Sequence, residues 1–349
     1  MSYRLASKRP AIIPGVRWES IWYPDSAVGQ ILSAALAPLG WLYAAGWRVY
    51  LGTYALGLKL RARAQIPVFC VGNLEVGGSG KTPLAIALTD LLEEMDLRPA
   101  MSVSGYGSPA SVGARLHPPH EPLDAATHGD EAALVRKKRP ALPLVIGRDR
   151  VAAGRLAAES GVGALVLDDG FQHLPLARVA DLLVWQSDRR NRRCLPAGPL
   201  REPESSARRA HALLVEEGGD APAYDVPLIR YRRVFHGLMD IGTGTLVAPS
   251  EVQAPVLALS AIARPERFHR ALTDLGLSIG STLTLPDHSR LDHLQLPAAA
   301  TVVCTEKDAV KLGGQAHNTR VLALVSDMEF LAPDEVKRFL QERVEDAAQ

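Results

Sequence analysis

Two stretches of this 349-residue chain bring together the residue types that phosphate chemistry requires. The first reads Val-Gly-Asn-Leu-Glu-Val-Gly-Gly-Ser-Gly-Lys-Thr-Pro over 71–83. An apolar run ending at Val71 leads into Gly77, Gly78, Ser79 and Gly80, and then into Lys81 and Thr82. A segment with Leu84, Leu88, Leu91 and Leu92 at helical spacing follows. In a strand–loop–helix setting, glycines let backbone N–H groups converge on an anion, the helix N-terminus adds partial positive charge, and Lys81 adds a full one. Thr82 offers a hydroxyl to Mg2+, so the stretch has the chemistry of a loop that cradles the phosphates of ATP. The strict pattern G-x-x-x-x-G-K-[ST] is broken at one place, where Glu75 replaces its first glycine.

The second stretch, Gly-Ala-Leu-Val-Leu-Asp-Asp-Gly-Phe-Gln-His over 163–173, has an apolar strand at 164–167 that delivers Asp168 and Asp169 to its C-terminal end. In an open α/β sheet, ligands bind beyond that end, and a phosphate-loop protein draws its metal-holding carboxylate from there. Three further places carry usable groups. Asp130 and Glu131 open a helix-like run, where they serve either as a cap on the helix dipole or in catalysis. His288, within Leu285-Pro-Asp-His-Ser289, is a lone histidine, which is more often structural than catalytic. Arg201 lies in a proline- and glycine-rich loop, 194–203, and presents the planar fork of donors that suits phosphate.

These groups need elements to position them. Strands are expected at 68–71, 99–103, 142–146, 164–167 and 182–185, alternating with helices, which is the pattern of a parallel α/β sheet. An acidic, then glycine- and alanine-rich segment at 216–224 marks a junction. Beyond it, strands at 256–260, 301–305 and 321–325, with helices at 267–275 and 334–344, make a second α/β unit. The division expected is therefore 1–64, 65–220 and 221–349.

A net charge of +1 gives no field that argues for nucleic acid. Three scattered cysteines, Cys70, Cys194 and Cys304, lack metal spacing and suit a reducing compartment. Residues 26–47 are free of charge, and four of the five tryptophans lie in the first 64 residues, the composition of a membrane–water interface. Pro38 and Gly40 interrupt the run, and basic residues flank it evenly. A helix or a broken helical pair lying in the interface is expected, with a soluble hairpin and a true span as the alternatives.

In order along the chain, several motifs resemble those of the tetraacyldisaccharide 4'-kinase family, the lipid A 4'-kinases of Gram-negative bacteria. They are the 71–83 loop, Gly-Asp-Glu at 129–131, Asp-Asp-Gly-Phe-Gln-His at 168–173 and Leu-Pro-Ala-Gly-Pro-Leu-Arg-Glu-Pro at 195–203. Ala-Arg-Pro-Glu-Arg-Phe at 263–268, Pro-Asp-His at 286–288 and Thr-Glu-Lys-Asp-Ala-Val-Lys at 305–311 complete the set. The resemblance implies a P-loop NTPase-like α/β/α domain, a second, smaller α/β/α domain and an N-terminal membrane-associated helical segment. It implies a kinase that uses ATP and Mg2+ to phosphorylate the 4' hydroxyl of tetraacyldisaccharide 1-phosphate in lipid A biosynthesis. Such an enzyme would sit peripherally on the cytoplasmic face of the inner membrane, with no obligate protein partner.

Carried over by motif, Gly77, Gly78, Ser79, Gly80, Lys81 and Thr82 would hold the phosphates, and Thr82, Glu131, Asp168 and Asp169 the metal. Asp130 would accept the hydroxyl proton, supported by His288, which would reach it from the second domain only when a cleft between the domains closes. Gln172, His173 and Arg201 would line the site. The family also lacks the first glycine of the loop, usually with a small hydroxyl residue where Glu75 stands. It usually has Ser-Arg-Gly-Tyr after the second strand, whereas Ser104-Gly105-Tyr106 lacks the arginine. Arg148, Arg150 or Arg201 would have to replace it.

The competing reading is a membrane-tethered P-loop NTPase switch acting through protein partners. A guanine-specifying Asn/Thr-Lys-x-Asp is absent, because Thr305-Glu306-Lys307-Asp308 has its lysine one place late.

Overall fold

A computed structural model describes residues 18–24, 26–78, 80–189, 191–297, 301–312 and 319–348. They form two compact units interleaved along the chain. One unit gathers 18–102, 150–232 and 330–348, and the other gathers 103–149 and 233–329. The consecutive division at about 220 that composition suggests is not how these units share the chain. The chain leaves the first unit inside the strand Leu228–Asp240, where no glycine- or proline-rich linker marks the passage.

The first unit is built on a parallel sheet ordered Ala212–Glu216, Ala180–Trp185, Val68–Gly72, Ala164–Asp168, Pro99–Val103. The Val68–Gly72, Ala164–Asp168 and Ala180–Trp185 strands are buried throughout, which is why they read as continuous apolar runs rather than alternating ones. The helix Lys81–Glu94 lays Leu84, Ala85, Leu88, Leu91 and Leu92 against the sheet. Register sets Asp168 opposite Val71, so the aspartates leave one strand beside the point where the glycine loop leaves the next.

Ahead of this sheet run the helices Trp18–Trp22, Ala27–Ala35 and Ala37–Ala55. Ser26 caps the second by accepting from Gly29 N–H, and Pro38 enters the third at its first turn, where a missing N–H costs nothing. No single helix among the described residues is long and apolar enough to cross a membrane. The pair Ala27–Ala35 and Ala37–Ala55 meets the test jointly, bent by 50°. Val28, Ile31, Trp41, Leu42 and Val49 stand exposed along it.

In the second unit a parallel sheet runs Ile279–Thr284, Val256–Ser260, Val302–Thr305, Val321–Phe330. Alternate residues divide into two cores. Ala258, Val303 and Leu322 pack with Phe268 and Leu272 of the helix Pro265–Asp274. Leu257, Leu259, Cys304 and Ala323 pack with Ala309 and Leu312 of the helix Glu306–Leu312. The helix Asp130–Lys138 is tied to that second layer by Lys138, whose Nζ donates to both Glu306 carboxylate oxygens at 2.9 Å and to Ser326 O at 2.8 Å.

Candidate active site

In the first unit the backbone shapes the phosphate loop. Gly77 and Gly80 take positive φ, 102° and 79°, and Gly80 is the N-cap from which the helix starts at Lys81. Lys81 Nζ donates to Gly77 O at 3.3 Å and lies 3.6 Å from Asp169 Oδ2. Thr82 Oγ1 donates to Asp168 Oδ2 at 2.6 Å. Asp169 sits in the left-handed region at φ 55°, a strained conformation for a non-glycine residue, and its N–H donates to Val71 O at 2.9 Å. Arg201 grips its carboxylate in a fork, Nη1 to Oδ2 at 3.0 Å and Nη2 to Oδ1 at 2.6 Å, and also donates to the Asn73 side chain. Burial would push the Asp169 carboxyl up, but the charges of Lys81, Arg201 and Arg150 outweigh it and hold the group well below the usual carboxylate range. The result is an ionised carboxylate and two cations arranged around a glycine loop at a helix N-terminus.

A second group assembles in the other unit. Asp130 is the first residue of its helix, with Oδ1 accepting from the Glu131 N–H at 3.0 Å. Its Oδ2 meets His288 Nδ1 at 3.0 Å and Lys307 Nζ at 3.4 Å. Lys307 also donates to Asp287 Oδ1 at 3.2 Å, and His288, like Asp169, has a left-handed backbone, at φ 60°. The ring of Tyr106 lies 5.2 Å from that of His288. Burial would raise the Asp130 carboxyl, yet the His288 hydrogen bond and the Lys307 charge hold it far below its ordinary value. Lys307 is shifted the opposite way, since Asp287, Asp130 and Glu131 outweigh the burial that would lower it. Asp130 therefore caps its helix and is held ionised at the same time.

Comparison with known proteins bears on what these groups serve. The sequence pattern of LpxK, tetraacyldisaccharide-1-P 4'-kinase, matches residues 32–345. This chain belongs to the tetraacyldisaccharide 4'-kinase family. A tetraacyldisaccharide 4'-kinase of Anaeromyxobacter sp. (strain Fw109-5) is 36% identical over 356 residues, spanning 90% of this chain and 92% of its own. That of Halorhodospira halophila is 37% identical, spanning 84% and 88%. A crystal structure of LpxK from Aquifex aeolicus in complex with ATP superposes with a TM-score of 0.77 at 29% identity, covering 89% of this chain and 99% of that one.

Against that family frame, the expected residues divide. Lys81, Thr82, Asp168, Asp169 and Arg201 converge in one unit, and Asp130 and His288 in the other. One expectation is revised, and the remaining residues are placed. Asp130 and His288 belong to the same unit and are already in contact, so no closure is needed to pair them. Glu131 lies in that unit too and contributes charge around Lys307. Gln172 turns under the loop, with Nε2 donating to Asn73 O at 2.9 Å and Glu202 Oε1 at 2.7 Å, so it braces the loop backbone. His173 closes the turn after the strand, its N–H donating to Gly170 O. Ser79 lies outside the described residues.

Glu75 is buried in place of a glycine because its charge is answered. Arg189 Nε donates to Oε1 at 2.5 Å, and Tyr23 OH lies 3.4 Å from Oε2. Of the arginines that could replace the missing one, Arg148 stacks over Tyr106 at 5.6 Å, and Arg150 is buried, donating to Ser102 Oγ at 2.7 Å and Asp168 O at 2.8 Å. Sequence reasoning gave no role to Lys307, Asp287 or Asn73, and offered Arg150 only as a replacement for the missing arginine. Lys307 stood within a quoted motif, but nothing in its spacing pointed to Asp130.

Proposed function

We propose that this chain is an ATP-dependent kinase that phosphorylates the 4' hydroxyl of tetraacyldisaccharide 1-phosphate in lipid A biosynthesis. The observation that carries the reading is the assembled phosphate loop, Lys81 and Arg201 on Asp169 and Thr82 on Asp168, in a chain whose residues 32–345 match the family. Phosphoryl transfer asks little covalent chemistry of a protein and much positioning and charge. Lys81 and the N–H groups at the start of its helix stabilise charge on the transferred group. Arg201, held on Asp169, keeps a second cation in place beside them.

The Thr82 hydroxyl and the Asp168 and Asp169 carboxylates would hold Mg2+, an all-oxygen donor set of the kind that ion takes. Bound there, it would supply positive charge to the phosphates of ATP. Asp130 receives the acceptor proton. A carboxylate has about four lone-pair sites, and Glu131 N–H, His288 and Lys307 engage three, leaving room on Oδ1 for a hydroxyl. A strongly ionised carboxylate is a weak base, which suits a loose transition state in which the hydroxyl proton departs late. The exposed apolar face of the bent helix pair supports a peripheral position on a membrane surface, and a kinase that draws on ATP would meet that surface on the cytoplasmic side of the inner membrane.

The switch reading draws no support from its one candidate motif. Lys307 is engaged by Asp130 and Asp287, and Asp308 is buried, accepting from Ala261 N–H at 3.1 Å and Thr305 Oγ1 at 2.7 Å. Purified full-length protein, Mg2+, ATP labelled at the γ-phosphate and a lipid A precursor test the kinase. Label should appear on the 4' position of the sugar and be lost with chelator. Release of label only as inorganic phosphate, stimulated by protein rather than glycolipid, would overturn the proposal.

A further inference from the structure

The N-terminal helices do more than present an apolar face, because within the first unit they grip the loop that carries Arg201. Trp22 Nε1 donates to Pro196 O at 3.1 Å, and Ser33 Oγ donates to Ala197 O at 2.6 Å. Gly40 approaches so closely that a Cβ there would lie 2.9 Å from Cys194 O. Tyr43 OH donates to the carbonyl oxygen of Arg201 itself, at 2.9 Å. On its other side the same loop is bonded to the phosphate loop. Arg201 N–H donates to Leu74 O at 2.7 Å, and Val76 N–H donates to Pro199 O at 2.9 Å.

The Arg201 peptide is thus held at both ends, by the phosphate loop through its N–H and by the helix Ala37–Ala55 through its C=O. The loop 194–203 has no helix or strand of its own to satisfy its carbonyls, so the helices supply donors to three of them. A guanidinium fork on a carboxylate tolerates little displacement of its base, since both donors must meet their oxygens together. Tyr23 adds a direct contact, its hydroxyl donating to Val76 O at 3.3 Å.

We propose that Tyr43 is a positioning residue for Arg201, and that the helix pair is in this way a working part of the phosphate site. The inference rests on the kinase reading of that site. Its consequence is that an element at the membrane surface and the group that holds Asp169 move as one body.

The test uses the full-length chain. Tyr43→Phe removes only the hydroxyl. Its kcat should fall roughly three- to tenfold, the range one net hydrogen bond supports, with KM for ATP and sedimentation with phospholipid vesicles unchanged. Tyr50→Phe, on the same helix with its hydroxyl against that of Tyr54, should leave kcat unchanged. In an Arg201→Ala background the Tyr43→Phe effect should vanish, because the residue acts through that arginine. Trp22→Phe, which removes the donor to Pro196, provides an independent variant and should lower kcat in the same direction. A normal kcat in both variants, or a Tyr43→Phe loss that persists in full without Arg201, overturns the proposal. If Arg201→Ala is itself fully active, the role of Arg201 falls and the positioning role with it, whereas a wild-type chain that transfers no label to the glycolipid removes the kinase reading. A slow Arg201→Ala beside a normal Tyr43→Phe removes only the positioning role.

Discussion

Lys307→Met offers the sharpest test of how the acceptor side of the site is tuned. The ammonium lies 3.4 Å from Asp130 Oδ2, and methionine keeps the length of the stem while removing the charge. Two unit charges at that distance interact by roughly 1 kcal/mol in bulk water and about 5 kcal/mol at an effective dielectric of ~20. At about 1.36 kcal/mol per pKa unit, the Asp130 carboxyl should rise by roughly one to three and a half units. The lower half of that range is expected, because Lys307 is shared with Asp287 at 3.2 Å. The sign follows from the depressed value in the folded protein. Ionised Asp130 contributes stability that is present above its unfolded pKa near ~3.9 and lost as pH falls through the lower folded value. Without Lys307 the folded value rises toward the unfolded one, so less stability is lost in acid and the loss is complete at a higher pH. Thermal unfolding from pH 2 to pH 7 checks it. The fall in stability between about pH 4 and pH 2 should be smaller in Lys307→Met and return toward the original in Lys307→Arg. Equal falls in wild type and Lys307→Met would refute the electrostatic coupling.

Two other outcomes bear on the same machinery. Lys81→Ala should lower label transfer by orders of magnitude, since the developing charge loses its fixed cation; a near-normal kcat at saturating ATP would remove the phosphate-loop assignment. Asp130→Asn and His288→Ala should each lower kcat on the order of 10² to 10⁴ with ATP affinity within a few-fold, and the double variant should be little worse than the slower single one. Strictly multiplicative losses would show that the pair, 3.0 Å apart, does not act as a unit.

The nucleotide half was legible because its chemistry is local. Loop, lysine, hydroxyl and helix are contiguous from Gly77 to Glu94, and Asp168 ends a strand whose apolar run is buried on both faces. The acceptor half was legible only through the family motifs, because the partners Asp130 and His288 are separated by 158 residues and nothing local in either announces the other. The division into units was not legible either, since three of the four crossings between them, at 102/103, 232/233 and 329/330, fall within strands. The strand Leu228–Asp240 went unread for a related reason. Its sequence mixes Arg230, Arg232 and Arg233 with apolar residues, and most of its length is only partly buried.

The N-terminal segment shows how composition can reveal a surface and conceal a contact. Exposed Ile31, Trp41 and Leu42 are what the chargeless run advertises, the composition of an interface. Of the residues that bind the 194–203 loop, Ser33, Gly40 and Tyr43 belong to the same run and Trp22 precedes it, and all four contribute to the same composition. A tryptophan that satisfies a buried carbonyl and one that faces lipid are identical in composition and differ only in where the helix turns them. Deleting residues 1–64 therefore cannot separate anchoring from assembly, because it would strip the 194–203 loop of three hydrogen bonds and the close packing at Gly40 along with the apolar face. Single-atom changes such as Tyr43→Phe can, since they leave the exposed face untouched. Apolar helices built into the wall of the phosphate site would tie two requirements together if they meet a membrane as proposed above. The enzyme acts on a lipid, and the helices suited to meet that lipid's membrane also hold Arg201 against Asp169.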